Sequence, residues 1–257
     1  MIIDYKNEDI IDGMSTHAID DFKAEKIEVI NTDNIYLICE KVFYNSNIES
    51  LNYLPKLKAV DRSAFSYSKL KEFDFKSVEG IDSDAFSHTK LINANIPNLI
   101  VLGKQAFIGS KITTFTAPKL EIIKTNTFNS CLDLKHVEIP ICKEIDEYAF
   151  AHCKSLRKIT LPKTLEKLGI GAFYDCTRLE EITFLSDLSV PFDIFDFCPK
   201  LEKIYVSDKF VENNKRFADF YKNKIIVNAL DFLIEQNKSF REINQILKKS
   251  KSLENIK

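Results

Sequence analysis

A phenylalanine recurs at positions 22, 43, 65, 86, 107, 128, 150, 173 and 195 of this 257-residue chain, in steps of 21 to 23 residues. The same frame returns around most of these rings. A small residue comes just before, as in Ala64-Phe65, Ala85-Phe86, Ala106-Phe107, Ala149-Phe150 and Ala172-Phe173, and an aliphatic residue such as Ile38, Val60, Ile81, Ile145 or Leu168 stands five before. Five or six after each ring comes Leu or Ile, from Ile27 and Ile48 to Leu179 and Leu201, and the slot three further on is again mostly apolar. This L-x-x-L-x-L segment ends in apolar/polar alternation, the mark of a short strand with one buried face. Pro97, Pro118, Pro140 and Pro162 follow it, and a residue without an N–H donor there turns the chain out of the sheet. A unit this short cannot bury its apolar side alone, whereas stacked units share one core. The sequence therefore predicts a repeat solenoid, mainly β, with one short parallel strand per coil. About nine coils at the strand spacing of ~4.8 Å would run on the order of 40 Å. The repeat also accounts for 20 Phe beside no Trp.

The frame resembles the leucine-rich repeat superfamily and, in detail, its BspA-type branch. The stretches Ile145-Asp146-Glu147-Tyr148-Ala149-Phe150-Ala151-His152-Cys153 and Leu168-Gly169-Ile170-Gly171-Ala172-Phe173-Tyr174-Asp175-Cys176 carry the likeness best, and it spans roughly residues 17 to 206. The first two coils depart from it, with His17 in the aliphatic slot and Asp21 and Val42 in place of Ala. The resemblance implies a right-handed arc whose role is to bind macromolecules, and it admits a place at the cell surface.

Beyond the repeat, residues 1–16 read as an N-terminal cap, 17–206 as the solenoid, 207–227 as a C-terminal helical cap and 228–257 as a helical tail. Arg216, Phe217, Ala218, Asp219, Phe220 and Tyr221 form an amphipathic run that can cover the open end of the core. In the tail, Leu230, Leu233 and Ile234 make one apolar stripe and Phe240, Ile243, Ile246 and Leu247 a second. Ser239 and Glu242 have capping-box spacing between them. Residues 239–252 resemble the first helix and turn of a helix-turn-helix DNA reader, and residues 238–257 hold six Lys/Arg against Glu242 and Glu254, a local +4. A recognition helix beginning near Ser252 would be too short to cross a groove, so a docked or partner-binding amphipathic tail is the preferred reading.

Thirty-six Lys+Arg against 38 Asp+Glu give a formal net charge of −2, so no global field recommends nucleic acid or an anionic membrane. Acids at Asp4, Glu8 and Asp9 stand where a secretory leader would be basic, and no stretch approaches the roughly 20 apolar residues of a membrane helix. The expected setting is a reducing, cytoplasmic one with six free thiols. Cys131, Cys153, Cys176 and Cys198 each lie three after the repeat Phe and are expected to stack as small buried residues, with Cys142 the candidate for an exposed thiol. His17, His88, His136 and His152 are scattered over different coils, and no GxSxG, HExxH or GxxxxGK[ST] occurs. No cofactor, metal or catalytic residue is expected.

What remains is the strand face, where repeat proteins present equivalent side chains in rows. Its outward positions give the candidate partner surface: Glu72, Asp74, Asn93, Asn95, Thr114, Thr116, His136, Glu138, Lys158, Thr160, Glu181, Thr183, Lys203 and Tyr205. Tyr205 is its one aromatic anchor. The expected function is a non-catalytic scaffold for another protein, the alternatives being a surface adhesin and a DNA-linked regulator working through the basic tail.

Overall fold

In the computed structural model, residues 2–4, 10–11, 28–30 and 32–227 are described. They build stacked coils, about nine in all. The face ladder runs through Ser50–Leu51, Glu72–Phe73, Asn93–Asn95, Thr114–Thr116, His136–Glu138, Lys158–Leu161, Glu181–Phe184 and Lys203–Val206, and closes on Ile225–Val227. Pairing is parallel and in register: Thr114 sits opposite Asn93 on one side and His136 on the other. Equivalent positions of successive coils therefore form columns. At the start of the chain Ile2–Asp4 pairs with Glu28–Ile30 in the same sense.

The sequence frame gives one strand per coil; the structure adds a second. Leu37–Ile38, Ala59–Val60, Gly80–Ile81 and Val101–Leu102 form a further parallel ladder, joined by Ile10–Ile11, and Ile122–Ile123, Glu144–Ile145 and Lys167–Leu168 form another. Each of these strands from Leu37–Ile38 onward ends on the buried aliphatic residue five before the repeat Phe. Two residues suffice for a backbone pair but are too few for alternation to register in a sequence.

Between the ladders the chain rounds a tight turn that carries the Phe. The residues two before and two after it are left-handed although few are glycine, as in Lys41 (φ 58) and Asn45 (φ 53) around Phe43, or Tyr148 (φ 52) and His152 (φ 59) around Phe150. Such a backbone costs a non-glycine residue roughly 1–2 kcal/mol. In return, alternate N–H groups point along the stack. Phe65 N donates to Ala85 O at 2.8 Å and Tyr67 N to Ser87 O at 2.9 Å, and the same bonds recur from coil to coil. The alanine before the ring thus supplies an acceptor to the preceding coil while its methyl is fully buried. Val42 fills that slot in its own coil and is still buried.

The rings themselves stack. Centroids of Phe65 and Phe86 are 5.3 Å apart at 6°, Phe128 and Phe150 5.2 Å at 10°, and Phe150 and Phe173 5.4 Å at 4°. Phe115 meets Phe128 edge-on at 4.6 Å, so the strand side and the turn side share one aromatic core. Gly169 is fixed by a close approach: a Cβ there would lie 2.4 Å from Glu147 N in the neighbouring coil.

After the last full coil, helix α1 (Asp208–Asn213) starts on Ser207, whose Oγ accepts from Phe210 N at 2.9 Å. Helix α2 (Lys215–Phe220) follows directly. Phe210 packs on Phe184 at 4.8 Å, and Phe217 and Tyr221 pack on Phe195 at 6.1 and 5.9 Å, so aromatic rings continue the core into the helices. Buried Asn214 ties the two together, accepting from Val190 N and donating to Leu188 O, both at 2.9 Å. His17 and Asp21, the remainder of residues 1–16, and the tail 228–257 with its capping box and its helix-turn-helix likeness lie outside the described residues.

Candidate functional site

The parallel register sorts the predicted face into two columns. The first holds Glu72, Asn93, Thr114, His136, Lys158, Glu181 and Lys203; the second holds Asp74, Asn95, Thr116, Glu138, Thr160, Thr183 and Tyr205. Upstream the columns are open: Glu72, Asn93, Asn95, His136 and Lys158 are exposed, and Thr114, Thr116 and Glu138 are half-buried. Neighbouring coils bond across the face. Asn52 donates to Glu72 at 2.9 Å, and Thr114 Oγ1 donates to Asn93 Oδ1 at 2.9 Å. Asp74 is engaged in holding a turn, accepting from Leu54 N and Lys76 N, each at 3.1 Å. Further along, Glu181 sits between Lys158 at 3.0 Å and Lys203 at 3.9 Å.

Three predicted positions do not reach solvent. Thr160 is 7% exposed, Thr183 4% and Tyr205 7%. Tyr205 therefore cannot serve as the exposed anchor expected of it. Alternation tells which side of a sheet a residue takes, and carries no information on what stands beside or above that side. Here Tyr205 lies between Thr183 and Ile226 in the ladder, so an aromatic and an aliphatic residue crowd the column.

The cysteines behave as a structural column. Cys131, Cys153, Cys176 and Cys198 are buried and free, and each thiol donates to the carbonyl of a repeat Phe one coil earlier, as Cys131 does to Phe107 O at 3.0 Å. Burial pushes the Cys131 thiol up to about 12. Cys142 is a correction: instead of being exposed it is fully buried beneath the second ladder, donates to Glu144 O at 3.2 Å, and is likewise raised to about 12. His88 and His136 are exposed, His88 stacking on Tyr67 at 4.6 Å. His152 Nδ1 lies 2.8 Å from Asp175 Oδ2, and this bond, with Lys154 at 3.3 Å, holds the carboxyl below its ordinary range. Among the described residues no group of three His, Cys, Asp or Glu is placed to hold a metal ion.

A family model described as the BspA type leucine rich repeat region, in six copies, matches residues 17–135 and 121–247. The chain belongs to the BspA-type leucine-rich repeat family. Solved structures similar to this BspA-type chain include a leucine-rich repeat protein from Eubacterium ventriosum, at 15% identity over 77% of this chain and 72% of that one, with a TM-score of 0.48. Another, from Bacteroides ovatus, is 17% identical over 89% of this chain and 92% of that one, with a TM-score of 0.41. The pneumococcal vaccine antigen PcpA is 18% identical over 80% and 74%, with a TM-score of 0.38. No curated protein matches the sequence.

The BspA-type frame also exposes what alternation missed. Tyr53, two residues past Leu51, occupies the slot taken by buried Phe75 and Ile96 in the next coils, yet is 61% exposed while Leu54 takes the buried place. The signal was in the sequence: Pro55 stands four after Leu51, whereas Pro97 stands three after Ala94, so this coil has one extra residue. At the far end Phe197 and Phe220, 67% and 64% exposed, line a groove of about 460 Å³ with Asp175, Asp196 and Lys224. Among the described residues no helix is long and apolar enough to cross a membrane.

Proposed function

We propose that this chain is a non-catalytic protein-binding scaffold that presents the upstream strand face, from Glu72 to Lys158, with Tyr53 as its aromatic anchor. The observation behind it is the open pair of columns mounted on a stacked phenylalanine core. A polar, hydrogen-bonding surface on a rigid frame loses little conformational entropy when a partner docks. Membership of a leucine-rich repeat family, whose members generally serve as binding scaffolds, supports the same reading. Opposite charges at Glu72 and Lys158, with polar Asn93 between them along the column, favour a protein surface of mixed charge over a polyanion.

The test is affinity capture from source-cell lysate with the full-length protein beside a variant carrying Tyr53→Ala, Glu72→Ala, Asn93→Ala and His136→Ala. The expected result is a partner held by the first and lost by the second, with both showing the same thermal transition. Equal capture by the two would remove the upstream face from the contact.

A further inference from the structure

The two most exposed rings among the described residues, Phe197 and Phe220, line one groove of about 460 Å³ at the C-terminal end of the stack. Neither ring is loose. Phe197 meets Tyr174 at 5.1 Å, and Phe220 meets Phe192 at 4.7 Å and Tyr221 at 4.8 Å. Phe197 also holds a left-handed backbone position (φ 60), which costs such a residue roughly 1–2 kcal/mol, and another coil fills the same slot with Gly109. Burial of the ring does not offset that cost, so a bare phenyl at this point needs another account. Buried Phe195, Leu201 and Tyr221 line the same groove. Its charged groups are Asp175, Asp196 and Lys224. Asp175 is already held by His152 and Lys154. Asp196 is exposed, and among the described residues its carboxylate has no hydrogen bond and no ion pair, with Lys224 or any other cation. Burial pushes the Tyr221 phenol up to about 12, and the charges of Asp196 and Asp193 add to the rise, so this side of the groove lies in a negative field.

We propose that this groove binds an arginine side chain of a partner protein, its guanidinium on Asp196 and its plane against the rings of Phe197 and Phe220. An apolar occupant would strip water from Asp196 without giving it a partner, and an anion would meet a carboxylate. A guanidinium answers both parts of the lining, since it is planar and weakly hydrated, stacks on phenyl faces and gives a carboxylate two parallel hydrogen bonds. The same stacking already occurs beside the groove, where Arg216 lies over the ring of Phe192 at 5.1 Å and Phe192 packs on Phe220. Pro199 and Leu201 add apolar surface that residues flanking the arginine can cover and free arginine cannot. The groove lies outside the strand face, and the proposal does not rest on that face being a partner surface.

The test titrates the full-length chain, followed by its backbone amide NMR signals, with the blocked peptide Gly-Leu-Arg-Leu-Gly, with the same peptide carrying citrulline, whose urea is a neutral copy of the guanidinium, and with arginine amide. The arginine peptide should give saturable shifts centred on residues 196–198 and 220–224 with a Kd below about 5 mM. The citrulline peptide and arginine amide should each bind at least about fivefold more weakly, the first for want of charge and the second for want of flanking contacts. Asp196→Asn should bring the two peptides within about twofold of each other, Phe197→Ala should weaken both, and Glu72→Gln on the strand face should change neither. Thermal melts check that each variant is folded. Equal binding of the two peptides by the natural chain, a gap between them that survives Asp196→Asn, shifts centred elsewhere, arginine amide as tight as the peptide, or no saturable shift up to about 10 mM would each overturn the proposal.

Discussion

The two ends of one strand face obey the same repeat and meet different surroundings. In the second column Asn95 stands open to solvent and Thr116 and Glu138 are half-buried, whereas Thr160, Thr183 and Tyr205 are buried. The thiol column changes along the stack too, at a different place: Cys131, Cys153, Cys176 and Cys198 follow coils whose neighbouring slots hold Ser68, Thr89 and Ser110. A repeat fixes where a side chain points from the sheet. It does not fix what packs on it afterwards.

The largest effect should come from the core that both regions share. Phe128→Ala removes a ring stacked between Phe107 and Phe150 and should cost about 3–5 kcal/mol in urea unfolding, with upstream and downstream probes shifting together. Separate transitions would break the picture of one continuous stack. Alkaline pH should then separate the regions. Buried Cys131 is raised to about 12, while an unfolded thiol titrates near 8.5, so above that pH the unfolded chain sheds a proton that the folded chain keeps. The thiol's contribution is complete below about pH 8.5 and is lost on the way to about 12, at up to ~1.4 kcal/mol per pH unit. Hydrogen exchange at pH 10 should show the coil that carries Cys131 opening before the thiol-free coils that hold Ser68 and Thr89, and Cys131→Ala should lessen that opening.

A direct comparison along one column comes next. Thr183→Asp places a charge in a buried row and should cost about 1–3 kcal/mol, while Thr116→Asp should stay within about 0.5 kcal/mol. Similar losses in denaturant midpoints would mean that the two ends are equally covered. The smallest effect belongs to the His152–Asp175 pair. Asp175 is held below its ordinary range, so its stabilisation is present at neutral pH and disappears as acid protonates it. Asp175→Asn should cost less than about 1 kcal/mol at pH 7, and progressively less as acid is added below the ordinary carboxylate range, as thermal melts across that range would show.

The stack itself was legible because the Phe-Ala frame, the aliphatic slot and the alternating strand repeat at a nearly fixed step. The thiol column at Cys131, Cys153, Cys176 and Cys198 was legible for the same reason. Three features were not. The second ladder uses strands of two residues, below the length at which alternation carries a signal. Several left-handed turn positions are filled by residues such as Lys41, Tyr67 and Gln105, which do not advertise such a backbone as Asn45 or Gly109 does. The exposure of Tyr53 and the burial of Tyr205 depend on one inserted residue and on neighbours outside the repeat, so the sequence pattern placed Tyr205 on an outward row where the structure buries it.

Hydroxyl-radical footprinting of the full-length chain tests the central claim most directly, because tyrosine and histidine both report their own access to solvent. The account predicts rapid oxidation of Tyr53 and His136 with Tyr205 protected. Oxidation of Tyr205 as fast as Tyr53 would contradict the division of the face into an open upstream surface and a covered downstream one.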